Sequence, residues 1–339
     1  MITLLTIFIG ATGAGFAWFI GAPAPFLTGP AIFVTFCAIL GIKCSVPAPL
    51  RNTSFILIGI STAEGIDSNV LKNVLTWPIS LVGMCFNIMI LLLIGKYIFQ
   101  KYFKVESNTA ILASAPGHLS YVLNLSEETK SKTAVISVIQ SIRVLTLTLA
   151  VPATIMLFTD FNMRASTSSD QILSYNHLLL VIVFSVLIGT LFLRYKIPAA
   201  FLMAGMVCST IGHGFDLTPG VIPENLAVAA FVVLGSLIGS RFSGISLETF
   251  NSCIIKGTLF TMVSLLISIL VAFLISYLTN FKFIEILIAI SPGGLETMVV
   301  MGQLIEADPA FIAFHHILRL FFLSFFIPLL MALNHKQTN

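Results

Sequence analysis

Apolar stretches of about 20 residues, parted by very short polar connectors, run through this 339-residue chain from end to end. A stretch of that length matches the hydrocarbon thickness of a bilayer, where helices and closed barrels are the structures that satisfy their own backbone. The chain therefore reads as a polytopic, all-α membrane protein. Charged residues make up 9% of it and hydrophobic ones 57%, where a soluble domain is about 25% charged. Those figures exclude a soluble enzyme, a DNA-binding domain and a secreted disulfide scaffold. The five cysteines (Cys37, Cys44, Cys85, Cys208, Cys253) are odd in number, scattered and without ligand spacing, so they read as small buried apolar residues. A net charge of +3 is too small to imply nucleic acid as a partner. Gly21-Ala22-Pro23-Ala24 looks like a signal-peptidase site, but no basic segment precedes it and a similar junction recurs inside the chain.

Laid over itself, the sequence repeats. Pro116 and Pro292, Arg143 and Arg319, and Pro152 and Pro328 are each 176 residues apart. Pro23-Ala24-Pro25-Phe26-Leu27 matches Pro198-Ala199-Ala200-Phe201-Leu202 at an offset of 175, and Gly59 matches Gly235 at 176. The chain is a tandem duplication of residues 1–165 and 166–339, joined through the polar stretch from Asp160 to Asp170.

The pattern predicts helices over 3–20, 24–42, 53–68, 74–99 and 131–158, then over 175–194, 197–213, 224–241, 255–278 and 309–333. Segments 107–127 and 283–305 are long enough to span, but Pro116-Gly117 and Pro292-Gly293-Gly294 break them in the middle. Each is either a full crossing or a re-entrant hairpin. The positive residues arbitrate, because Lys and Arg concentrate on the cytoplasmic side. With re-entrant segments and a cytoplasmic N-terminus, Lys43, Arg51, Lys96, Lys101, Lys104, Lys130, Lys132, Arg194, Lys196, Arg241, Lys256 and Lys336 lie inside, and only Lys72, Arg164 and Lys282 outside. Full crossings bring that bias to eight against seven. The expected fold is thus about ten transmembrane helices plus two re-entrant Pro-Gly hairpins in two inverted five-helix repeats. Both termini are then cytoplasmic.

Arg143 and Arg319 fall about 15 Å from their helix ends, at the depth of the hairpin tips. A guanidinium there costs several kcal/mol and marks a functional site by default. Gln140 and His316 sit three residues earlier on the same faces, making polar stripes. At the tips, freshly started helices offer unpaired N–H groups and a positive dipole end, and Gly117, Gly293 and Gly294 allow a ligand close approach. Anion binding by Arg143, Arg319, Gln140, His316, Pro116, Gly117, Pro292, Gly293 and Gly294 is one reading; bracing of tip carbonyls or of Glu296 by the arginines is the other. Glu296, with Ser120 opposite it in the first repeat, could bind Na+, carry a proton or pair with Arg319. Glu64 either faces the cavity or is interfacial. Asp308 before Pro309 reads as a helix cap, His118 could titrate near neutral pH, and adjacent His315 and His316 point about 100° apart, poorly placed to chelate one metal. No metal or cofactor is expected.

Ala115-Pro116-Gly117-His118-Leu119-Ser120 leading to Gln140 and Arg143, and Ser291-Pro292-Gly293-Gly294-Leu295-Glu296-Thr297-Met298 leading through Ala307-Asp308 to His316, Arg319 and Pro328, resemble the AbrB family of duplicated bacterial membrane proteins. In the first copy His118, Val122 and Lys132 stand where that family usually has Gly, Met and Asp. The resemblance implies the labels regulator of gene expression or ammonia-monooxygenase-like. The six histidines form no copper site, and no connector holds a basic DNA-binding domain. The hairpin-plus-Arg plan resembles citrate/sodium symporters within the sodium- and proton-coupled carriers. The expectation is a secondary transporter in the bacterial inner membrane, not an enzyme, moving a small, anionic solute with Na+ or H+. Its partners are that solute, the lipid bilayer and a second copy in a homodimer. The alternative is a membrane sensor or regulatory protein that does not transport.

Overall fold

The computed structural model describes residues 1–63, 76–117, 119–158, 172–215, 217–218, 220–305 and 307–338. The protein is 80% helical, and no strand forms among the described residues. The helices are α1 (Ile2–Phe19), α2 (Pro25–Ile39), α3 (Ala48–Ala63), α4 (Pro78–Lys101), α5 (Ser107–Ser114), α6 (Leu119–Glu128) and α7 (Thr133–Phe158). The second half continues with α8 (Tyr175–Arg194), α9 (Ala200–Gly214), α10 (Glu224–Ser240), α11 (Leu247–Leu278), α12 (Phe283–Ile290), α13 (Leu295–Gln303) and α14 (Pro309–Thr338). Six of them, α1, α4, α7, α8, α11 and α14, are long and apolar enough to cross a membrane; α2, α9 and α10 are apolar but shorter.

Two helices start earlier than apolarity alone suggests. α11 begins at Leu247 rather than near 255, because Ser246 caps it, its hydroxyl accepting from the Thr249 N–H at 3.2 Å with Glu248 in the first turn. α3 begins at Ala48 with Pro49 in its first turn, a position where the missing N–H costs nothing; the expected end of that helix, 64–68, lies outside the described residues.

Both broken segments break where proline demands it. Ala115 and Ser291, each preceding a proline, are extended at ψ 121° and 140°, since proline disfavours helical geometry in the residue before it. The first segment doubles back. The Lys132 N–H donates to Thr109 Oγ1 at 3.2 Å, so the beginning of α5 lies beside the residue that precedes α7, whereas a straight helix of the intervening length would part them by about 35 Å.

By contacts the chain divides into two compact units that cut across the repeats. One contains Met1–Lys72, Thr148–Gly244 and Glu296–Ala310; the other contains Asn73–Leu147, Ile245–Leu295 and Phe311–Asn339. In the first unit α1 packs on α2 as α8 packs on α9, α2 on α10 as α9 on α3, and α1 on α10 as α8 on α3. Exchanging the repeats maps each of these contacts onto another. The close crossings match too: a Cβ on Gly59 would fall on the Leu202 carbonyl, and one on Gly235 on the Leu27 carbonyl. In the second unit α4 packs on α5 as α11 packs on α12, and α4 and α11 pack on each other.

Candidate functional site

Arg143 on α7 and Arg319 on α14 belong to the second unit with both Pro-Gly corners. Each is only 2% exposed. A buried guanidinium is tolerable when its donors meet acceptors, and a broken helix supplies them, because the last carbonyls of the first arm have no partner in their own helix. Arg143 Nη1 donates to the Ala115 carbonyl at 2.7 Å, and Nη2 donates to Gln140 Oε1. The Gln140 amide donates in turn to the carbonyls of Leu112 (3.0 Å) and Ala115 (2.9 Å). In the second repeat Arg319 donates to the carbonyls of Ser291 and Gly293, both at 2.7 Å, and His316 Nε2 to that of Ile288 at 3.2 Å. A carbonyl only accepts, so His316 Nε2 carries a proton.

The two networks are copies. Arg143 reaches back 28 residues to Ala115 and Arg319 reaches back 28 to Ser291; Gln140 and His316 reach back 28 to Leu112 and Ile288. The arginines therefore brace the breaks. Arg319 also touches the other corner: Gly117 has φ +85°, and a Cβ built there would lie 3.1 Å from Arg319 Nη2. Both Pro-Gly corners thus meet at one guanidinium, with Pro116, Pro292 and Gly293 buried and Gly117 and Gly294 partly accessible. Beyond each corner α6 and α13 begin, and a helix start presents N–H groups and partial positive charge. Positive charge, unpaired donors and small residues at one point can hold a small anion without any side chain giving up its bracing bond.

The remaining candidates are distributed differently. Glu296 is half-buried and belongs to the first unit. Arg241, just past the end of α10 in that same unit, is exposed. Glu64 and His118 lie outside the described residues, as does the side chain of Ser120. Asp308 caps α14, its carboxylate accepting from the Ala310 N–H at 2.8 Å with Pro309 in the first helical position. His315 faces away from the corners: its ring nitrogens lie 2.8 Å from the Phe311 carbonyl and 2.9 Å from Ser80 Oγ, against Trp77. The acceptor carbonyls at 112, 115, 288, 291 and 293 were not foreseen individually, although a constant separation of 28 residues was present in the aligned repeats.

Two known proteins are similar to this chain over most of its length. The "Uncharacterized protein YhjN" of Bacillus subtilis (strain 168) is 24% identical over 298 residues, covering 82% of this chain and 77% of its own. The "Putative regulator AbrB" of Escherichia coli (strain K12) is 25% identical over 305 residues, covering 88% of this chain and 86% of its own. Residues 26–334 match the profile described as "Transition state regulatory protein AbrB", and the chain belongs to that family, AbrB.

Proposed function

We propose that this protein is a secondary transporter of a small anionic solute, coupled to Na+ or H+. The observation that carries the proposal is the pair of copied arginine-braced helix breaks, meeting at Arg319. Helices broken at mid-membrane are the binding elements of many carriers built from inverted repeats, and buried arginine is retained in hydrocarbon chiefly for function. In this reading ten helices span the bacterial cytoplasmic membrane, both broken segments re-enter, and both termini are cytoplasmic. Arg143, Arg319 and the tip amides form the anion site, with Gln140 and His316 holding the corners in shape. Glu296 is the coupling group, together with Ser120 and Glu64. No catalytic step and no cofactor enter the cycle.

The test is solute uptake into proteoliposomes, screened over small carboxylates and phosphate under an imposed Na+ or pH gradient. Flux should follow the gradient and fall at least about tenfold in Arg319→Gln, the scale of one lost charged hydrogen bond. Monodispersity and thermal midpoint show whether the variant is folded. Unchanged flux through folded Arg319→Gln overturns the site.

The name of the Escherichia coli relative, "Putative regulator AbrB", favours a second reading, a membrane sensor that binds the anion and does not move it. Saturable binding with no gradient-driven flux supports that reading against transport.

A further inference from the structure

Asn87 is the one asparagine in the interior of α4, and its side chain is 0% exposed. Its amide nitrogen donates at 3.1 Å to Ser268 Oγ on α11 and at 3.1 Å to the carbonyl of Ile290, the last residue of α12. Its amide oxygen has no hydrogen-bond partner among the described residues. A buried amide oxygen without a donor costs about 1–3 kcal/mol, so a purely structural clasp between helices would be better made by a residue with nothing left over.

Ser268 differs from the hydroxyls one and two turns before it on α11. Thr261 and Ser264, at helical spacing on the same buried face, turn their hydroxyls back to the carbonyls of Gly257 and Phe260, the usual way a hydroxyl hides in an apolar helix. Ser268 meets Asn87 instead. The constellation also breaks the duplication: at the offset of 176, Asn87, Ser268 and Ile290 correspond to Val263, Leu92 and Ser114. Features that serve the shared architecture are doubled in this chain; this one occurs once.

We propose that Asn87 Oδ1, Ser268 Oγ and the Ile290 carbonyl form a binding site for Na+ behind the second helix break. A half-turn of the Asn87 amide brings its oxygen to the place its nitrogen occupies, about 3 Å from the other two oxygens, a spacing suited to a hard cation held at about 2.4 Å. The ligands are neutral oxygens: amide, hydroxyl and carbonyl. That set matches a monovalent cation, since a divalent ion is normally held by carboxylates. The C-terminal end of the α12 dipole adds negative potential.

The position explains coupling, a step that rests on the anion site proposed above. Ile290 is adjacent to Ser291, whose carbonyl binds Arg319. A cation at Ile290 is repelled by that guanidinium until an anion at the corner offsets the charge. Anion and Na+ then raise each other's affinity, by equal factors since linkage is reciprocal.

Binding of Na+ alone tests the site, without any solute. The full chain in nanodiscs is titrated with NaCl against KCl at constant total salt, reading thermal midpoint and equilibrium binding of radioactive 22Na+. Wild type should respond saturably to Na+ and less to K+. Ser268→Ala and Asn87→Leu should shift the half-saturating Na+ concentration upward by about tenfold or more, the scale of one lost oxygen contact to a charge, and Asn87→Asp should restore or tighten it. Ser264→Ala, one turn away, should leave it unchanged. If Asn87→Leu fails to fold, Ser268→Ala and Asn87→Asp carry the comparison. Equal responses to Na+ and K+ in wild type, or a half-saturating concentration unmoved in folded Ser268→Ala, overturn the cation site. Anion flux driven by pH alone with no Na+ binding removes this site and leaves the anion site standing; intact Na+ binding with flux indifferent to Arg319→Gln does the reverse.

Discussion

At the scale of single residues, the cost of burying Arg143 and Arg319 is offset by the carbonyls that each proline leaves unpaired. Breaking a helix exposes acceptors; a guanidinium three turns into the neighbouring helix supplies donors. Gly117 shows how tight the fit is. Its φ of +85° is one that L side chains rarely adopt, and an added methyl would sit 3.1 Å from Arg319 Nη2. Gly117→Ala should therefore lower stability by about 1–2 kcal/mol from backbone strain alone, with a further loss as the guanidinium shifts. Gly15→Ala, with open space around the new methyl, should be neutral or slightly stabilising through better helix propensity. Thermal midpoints of the two variants make the comparison, and equal midpoints would remove the close approach as a constraint. Prolines, glycines and arginines at matching positions were legible as a candidate site because each is conspicuous in an apolar helix. Their partners were not, because backbone carbonyls have no letter.

At the scale of elements, the six helices long enough to cross a membrane and the two interrupted segments could be located from apolar length and from Pro-Gly alone, with ends displaced by up to eight residues where capping decides. α11 shows why: Ser246, Glu248 and Thr249 are polar, so hydropathy discards the first turn, while the cap is what starts it. Matching positions also carry matching strain. Ala24 and Ala199 precede α2 and α9 with φ of 45° and 48°, left-handed values that cost an alanine roughly 1–2 kcal/mol. Glycine would remove that cost and add unfolded-state entropy of about 0.4–1 kcal/mol. Ala24→Gly and Ala199→Gly are each expected to stabilise by up to about 1 kcal/mol. Their effects should add, since each change acts on its own backbone turn, and denaturation midpoints of the single and double variants check both points. A clear loss of stability in either variant would mean that the left-handed turn is held by something other than backbone fit.

At the scale of the molecule, the compact units do not follow the repeats: each takes three segments, drawn from both halves of the chain. That interleaving was invisible in the one-dimensional pattern, which reports where a motif recurs and not which copies pack together. Sidedness is the property on which the transport reading depends. If five crossings separate the repeats, Phe103 before the first broken segment and Lys282 before the second stand at equivalent ends of matching elements but on opposite sides of the membrane. The twelve-to-three distribution of Lys and Arg favours this arrangement, since no such bias survives if both segments cross fully. With the five native cysteines replaced, Phe103→Cys should react with a membrane-impermeant maleimide only from the cytoplasmic side, and Lys282→Cys only from the outside. Labelling of both from one side would make the repeats parallel, and two corners entering from the same face could not exchange access to a shared anion between the two sides of the bilayer.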